Sequence, residues 1–362
     1  MQTEYIYRVL VPEVQGSLNL QLEELQQRVQ TYCSALSSGG QGLLFARIYL
    51  TDAANQWEEV SRHPLLTEVL QHCALSYVEQ PLLNGRKVAL QLWATTAESV
   101  QREGNSQRQE VQVGEVKWLF HSVRFSSEEV RGLSAEQQTQ EAFERHIAWL
   151  TSKGLNLRDH CHRTWLFVRD VDVHYAGVVK GRNDVFDREG LTPDTHFIAS
   201  TGIGGFTDNR DAIVAVDFLS VQGLSQECVS YLQALEYLNP THEYGVAFER
   251  ATRLSLPNED MVFVSGTASI DKHGECLYRG DVVAQTDRLF LNIEKLLADG
   301  GMQLGDMKYA IVYLRDVADY DVIDRYLKQH YPDLTCLIVE ARVCRPEWLI
   351  EVEAVAVRKR QE

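Results

Sequence analysis

Three apolar stretches of this chain each end in an aspartate and run on into a helical pattern. They read LLFARIYLTDAANQWEEV at 43–60, RTWLFVRDVDVHYAGVV at 163–179 and YAIVYLRDVADYDVIDRYL at 309–327. The aspartates are Asp52, Asp170 and Asp316. A carboxylate between a strand and a helix can accept a first-turn N–H, so each is read as an N-cap. An amphipathic helix precedes each stretch, at 19–36, 134–153 and 282–299. A pair of strands follows each: 74–79 with 86–95, 196–203 with 212–221, and 335–344 with 348–357. The order strand, helix, strand, helix, strand, strand thus recurs at roughly 120–140 residues, well beyond solenoid periods. Such alternation predicts α/β (α+β) layers with the helices on one sheet face. Three equivalent units can close around a pseudo-threefold axis, as three subunits would, with clefts between neighbours. The polar segments 99–111 and 222–243 read as linkers, dividing the chain into 1–111, 112–235 and 236–362.

Composition narrows the partners. The formal net charge is −16 and no Lys/Arg run is present, which argues against nucleic acid and membrane surfaces. A site for a small anion has to gather its own arginines. The start, MQTEYIYRVLVPEV, has the form of neither a signal peptide nor an anchor, and no stretch reaches the ~20 apolar residues of a membrane span. Seven scattered cysteines without a Cys-x-x-Cys pair fit reduced thiols and a cytoplasmic setting. In His160-Cys161-His162 successive side chains alternate faces, so the three cannot grip one metal, and no metal site is expected.

The third copy is the most legible. VFVSGTASID at 262–271 is a strand bearing small residues, and 282–299 is a helix with Val283, Leu289, Ile293 and Leu296 on its apolar side, ended by Gly300-Gly301. In LIVEARVC, alternation puts Ile338, Glu340, Arg342 and Cys344 on one face and Val339, Ala341 and Val343 on the core face. On the partner strand Ile350, Val352 and Ala354 face the core, and Glu351 and Glu353 face away. The turn Cys344-Arg345-Pro346-Glu347 brings the polar faces together. A carboxylate beside apolar walls has a raised pKa and can act as an acid. A solvated outer face with routine ion pairs is the other reading, and spacing leaves both open. The stretch Ser200-Thr201-Gly202-Ile203-Gly204-Gly205 reads either as a strand end with glycine turns or as a backbone anion nest.

Through 240–360 the chain resembles the Rid family of small trimeric α/β proteins. The resemblance rests on Ser265-Gly266, Gly280-Asp281, Gln285-Thr286, Asn292-Ile293 and Ile350-Glu351-Val352-Glu353-Ala354. Rid deaminases hold a substrate carboxylate with an arginine whose position here is taken by Leu337. Over 160–360 the chain also resembles the chorismatase family, larger relatives of the Rid proteins. That likeness is carried by Cys344-Arg345-Pro346-Glu347 with Glu351, by Arg163-x-Trp165, Tyr175, Gly181-Arg182 and Phe186, and by Ser265–Ile270 with Gly280-Asp281. It departs from that family's pattern at Leu166-Phe167 and after Ile270.

The resemblance implies tandem Rid-like (chorismate-mutase-like) units forming a pseudo-trimer. It implies cleavage of chorismate to pyruvate and a ring acid, with no cofactor. Glu351 would protonate the enolpyruvyl methylene. Cys344 marks the branch making 3-hydroxybenzoate, and Ala251 the hydrolytic branch making a dihydroxycyclohexadiene acid. Arg163, Arg182, Arg342 and Arg345 are the candidate cations for a dianionic substrate, because a planar guanidinium grips a carboxylate with two bonds. Each can equally be a surface ion-pair partner. Tyr175 is a candidate donor or a packing residue. A binding protein for an aromatic acid and a degenerate Rid-type deaminase are the competing readings. The sequence leaves monomer or homo-oligomer open. With Gln91, Asp217 and Glu353 aligned, the counterparts of Glu351 are Ala89 and Ala215, so one working cleft is expected, between the third unit and the second.

Overall fold

The computed structural model describes residues 3–36 and 38–360. The first unit comprises β1 (Tyr5–Leu10), α1 (Leu18–Ser34), β2 (Leu43–Leu50), α2 (Ala53–Arg62), β3 (Ala74–Glu79) and β4 (Val88–Thr95). The second opens with β5 (Gln101–Gly104), β6 (Arg108–Val113), β7 (Val116–Val123) and the single turn α3 (Ser127–Val130). It continues through α4 (Ala135–Ser152), the turn α5 (Leu157–His160), β8 (Cys161–Val168), α6 (Val171–Arg188), β9 (Ala199–Gly204) and β10 (Val214–Gln222). The third comprises β11 (Val229–Leu232), β12 (Ala251–Ser255), β13 (Glu259–Ala268), α7 (Val282–Asp299), β14 (Met307–Leu314), α8 (Tyr320–His330), β15 (Cys336–Glu340) and β16 (Ile350–Lys359).

The sheets run β1-β4-β2-β3, β5-β6-β7-β10-β8-β9 and β11-β12-β13-β16-β14-β15. The last four strands of each have one topology, with a parallel crossover through α2, α6 or α8. Register fixes the equivalences: Gln91 pairs with Arg47, Asp217 with Trp165 and Glu353 with Ile311. One further signature recurs. The fourth residue of α1, α4 and α7 is a buried glutamine, and its Oε1 accepts the N–H of the residue just before the closing strand. The pairs are Gln21 with Lys87 at 2.8 Å, Gln138 with Ile213 at 2.8 Å and Gln285 with Leu349 at 2.9 Å. The glutamine side chain, itself buried, thereby ties the helix to the start of the closing strand at the same point in every unit.

The units contact one another cyclically through the faces opposite their helices. Arg47 of the first reaches Asp217 of the second at 2.9 Å. Arg163 of the second reaches Glu353 of the third at 2.8 Å. Tyr309 of the third accepts from Gln91 Nε2 of the first at 2.6 Å. Around these polar centres pack rings such as Trp93 on Phe263, with centroids 5.7 Å apart, and Phe45 on Phe120, 5.2 Å apart. Burial works to raise Asp217, but Arg124 and Arg47 outweigh it and hold the carboxyl below its ordinary range.

Four expectations need correction. The segment 99–111 is not a linker: it contributes the β5–β6 hairpin, whose ladder continues the second sheet onto β7, so that unit begins before residue 112. Segment 222–243 likewise contains β11, which extends the third sheet. Asp52 caps α2 as expected, but Asp316 caps only a three-residue 3₁₀ turn ahead of α8, and Asp170 adopts a left-handed backbone (φ 46°) and its side chain caps nothing. Finally, β15 and β16 are not neighbours, because β14 lies between them.

Candidate active site

Glu351 lies on β16, opposite Tyr313 of β14 and Ala268 of β13. It is buried, and the backbone of Gly266 makes room for it: a Cβ there would overlap Glu351 Oε1. Burial pushes the carboxyl up to about 8, the neighbouring Glu353 adds to the effect, and Arg163 and Arg250 oppose it. The group therefore holds a proton at neutral pH, as a general acid must.

Glu353 is held in turn. Arg163 donates to Glu353 Oε2 at 2.8 Å and to Thr201 Oγ1 at 2.6 Å, and Trp165 Nε1 donates to Glu353 Oε1 at 2.9 Å. Thr201 Oγ1 also accepts the Gly266 N–H at 3.0 Å. One hydroxyl so links the arginine that fixes Glu353 to the glycine that seats Glu351. Ser265 completes the join, accepting from Ser200 N at 2.8 Å and donating to the Glu249 carbonyl at 2.6 Å.

Glu351 opens onto a cavity of about 400 Å³ between the second and third units. Tyr175, Ala176, Val179 and Arg182 of α6 form one wall, with Ser200 and Gly202 of β9. Phe248, Arg250, Cys344, Arg345 and Trp348 line the rest, beside Gly266, Ala268 and Ile270. Cys344 and Tyr175 are hydrogen-bonded to each other. Burial, then the charge of Glu351, pushes the Cys344 thiol up to about 12, against the pull of Tyr175. The cavity is apolar at its walls and cationic at its edges, which suits a compact anion with a ring.

Position 202 shows why this cleft is open. A Cβ at Gly202 would stand 3.0 Å from the Tyr175 ring. In the cleft between the first and second units the equivalent positions hold Tyr77 and Trp57, stacked with centroids 3.6 Å apart, and the space there is about 270 Å³.

Five of the eight candidate residues line the cavity: Glu351, Cys344, Tyr175, Arg182 and Arg345. Three do not. Arg163 is spent on Glu353 and Thr201 behind the wall. Arg342 is exposed and pairs with Asp172 at 2.9 Å. Ala251 is fully buried within the β12–β13 pairing. The stretch 200–205 is no anion nest: the N–H of Ser200 goes to Ser265 Oγ, that of Gly204 to the Arg342 carbonyl and that of Gly205 to the Val168 carbonyl. Arg250, not its neighbour Ala251, faces the cavity, since alternation puts adjacent residues on opposite faces. Its guanidinium donates to the Asn239 carbonyl at 3.0 Å and borders the cavity. Leu337, at the position of the Rid arginine, is buried away from the cavity.

Residues 247–358 match the family model described as endoribonuclease L-PSP. The 3-aminoacrylate deaminase RutC of Acinetobacter baylyi is 30% identical over 100 residues, 27% of this chain and 79% of that protein. The 3-hydroxybenzoate synthase of Streptomyces hygroscopicus is 27% identical over 219 residues, 54% of this chain and 63% of that protein, so the match spans under two thirds of its length. A crystal structure of a chorismatase superposes with a TM-score of 0.70 over 98% of both chains at 18% identity, which establishes a common fold.

Proposed function

The chain belongs to the chorismatase family and carries a Rid-like C-terminal domain, and on that premise we propose that it cleaves the enolpyruvyl ether of chorismate, releasing pyruvate and a ring acid. The observation that carries this reading is the buried Glu351 facing a cavity bordered by Arg182, Arg250 and Arg345. Protonated Glu351 delivers its proton to the methylene carbon of the enol ether, leaving an oxocarbenium-like centre beside the ether oxygen. The carboxylate that remains stabilises that cation. Water adds to that centre and the resulting hemiketal breaks its bond to the ring oxygen, giving pyruvate and a dihydroxycyclohexadiene acid. If the ring hydroxyl adds instead, the bond between that hydroxyl oxygen and the ring breaks with loss of a ring proton, and the hemiketal that remains collapses to pyruvate and 3-hydroxybenzoate without net consumption of water. The arginines balance the substrate's two carboxylates.

Of the two branch markers, Cys344 is on the cavity wall and Ala251 is not, so the weight falls on the 3-hydroxybenzoate outcome. The three units act as a pseudo-trimer in one chain, with the cyclic contacts as its axis and one cleft retained for chemistry. The test is incubation with chorismate, with pyruvate followed by a coupled assay and the ring acid identified by chromatography. Pyruvate with 3-hydroxybenzoate is the expected result. Tight binding of benzoates without turnover would instead mark a binding protein.

A further inference from the structure

The same comparison between copies singles out a second place. In the middle unit His121 of β7, His146 of α4 and Ser220 of β10 form a buried chain, with His121 Nδ1 to His146 Nδ1 at 3.2 Å and His146 Nε2 to Ser220 Oγ at 2.9 Å. By helix position and strand register their counterparts in the third unit are Val264, Ile293 and Ala356, all buried. In the first unit the counterparts of His146 and Ser220 are Val29 and Ala94, also buried. An apolar helix–sheet contact has thus been replaced by a polar one in one copy, a change that costs stability unless every group finds a partner. The chain satisfies both nitrogens of His146 and leaves Nε2 of His121 outside it.

His121 lines a cavity of about 530 Å³ that is separate from the one holding Glu351. Its other walls are Arg108 and Asn105 of the β5–β6 hairpin, Arg124 at the end of β7, and Arg145 and Trp149 of α4. Arg145 is committed to Glu129 and Glu141, at 2.9 and 2.8 Å, and Arg124 shares Asp217 with Arg47. Arg108 makes no ion pair among the described residues, and its guanidinium lies over the Trp149 ring, 5.8 Å from the centroid. In a chain of net charge −16, this concave patch holds one arginine, Arg108, without a carboxylate partner among the described residues, beside a neutral histidine.

We propose that this cavity is a second ligand site, selective for a small oxyanion, in which Arg108 flanks the anion and His121 donates to it. Arg108, Arg124 and Arg145 face His121 from three elements, and Asp217 and His146 face it from β10 and α4. Burial, then Arg108, holds the empty-site imidazole down at about 3. An anion would offset Arg108 but not the burial, so the ring stays neutral near pH 7, with Nδ1 turned to His146 and Nε2–H free to donate to the ligand.

The experiment uses the full chain labelled with ¹⁵N-histidine and follows the His121 ring nitrogens, assigned with His121→Gln. Sodium phosphate and sodium benzoate are titrated in separate arms against sodium chloride at matched ionic strength. A saturable shift with one oxyanion, absent with chloride, is expected, and Arg108→Gln should weaken it by about tenfold, the value of one charge-assisted hydrogen bond. Because Arg108 is exposed, that variant should fold normally. The shift should be unchanged in Glu351→Gln, which separates this site from the proposed catalytic cleft. No saturable shift in either arm, or one that Arg108→Gln leaves intact, overturns the proposal.

Discussion

The α-carbon of Gly266 stands where a methyl group would overlap Oε1 of Glu351. The proposed acid therefore has a seat defined by the absence of a side chain. Gly266→Ala should fold, because what must move is the carboxyl end of Glu351, with a smaller adjustment of the Thr201 methyl. It should lower kcat by about 100-fold, since a displacement near 1 Å costs that much at a reacting centre. Steady-state kinetics with a melting curve check both halves. An unchanged kcat would show that the position of Glu351 is irrelevant to turnover.

Activity and stability should both respond to the proton on Glu351. Its folded value, about 8, lies above the ordinary carboxylate value of 4.5. The rate should hold below that pH and fall by about tenfold per unit above it. The same shift means that the folded state binds the proton more tightly than the unfolded state does. Its contribution to stability is complete below the unfolded value and is lost as pH rises through about 8. Wild type should therefore lose more stability than Glu351→Gln between about pH 6 and pH 9, by urea titration at each pH. Parallel losses would contradict a buried acid.

Breaking the Arg163–Glu353 pair should be costly. Both side chains are 2% exposed, so Glu353→Ala leaves a buried guanidinium without its carboxylate. The expected loss is roughly 3–5 kcal/mol, read as a lower urea midpoint at unchanged slope. Arg163→Met combined with Glu353→Leu should recover part of that loss. A double variant as unstable as the sum of the singles would show that the two residues act independently.

The Cys344 thiol, hydrogen-bonded to Tyr175 on the cavity wall, should influence the ring product. Cys344→Ala is expected to shift output from 3-hydroxybenzoate toward the dihydroxycyclohexadiene acid while pyruvate release persists. Chromatography of the two acids gives the ratio, and an unchanged ratio removes Cys344 as selector.

The repeat and the placement of Glu351 beside apolar walls are legible in the residues alone. Three strand–Asp–helix junctions are visible because local chemistry dictates them, and the alignment of Gln91, Asp217 and Glu353 coincides with the observed register. Long-range relations were not visible. Arg163 looked like a substrate ligand because nothing local reveals that Glu353, 190 residues away, claims it. The hairpin 101–113 looked like a linker because an edge strand can be polar on much of its surface. The shared role of Gln21, Gln138 and Gln285 is not legible in the residues, although Gln285 stands in a Rid-like motif, since a glutamine on an amphipathic helix resembles any surface residue until its partner strand is in place.

The central claim is that Glu351 supplies a proton to chorismate in the cleft between the second and third units. The direct test is pyruvate release from chorismate at neutral pH by wild type and by Glu351→Gln, with both proteins verified as folded. Continuous release by wild type, reduced by roughly 10²–10⁴-fold in the variant, is the predicted result. Equal rates in the two proteins, or no release from wild type, would contradict it.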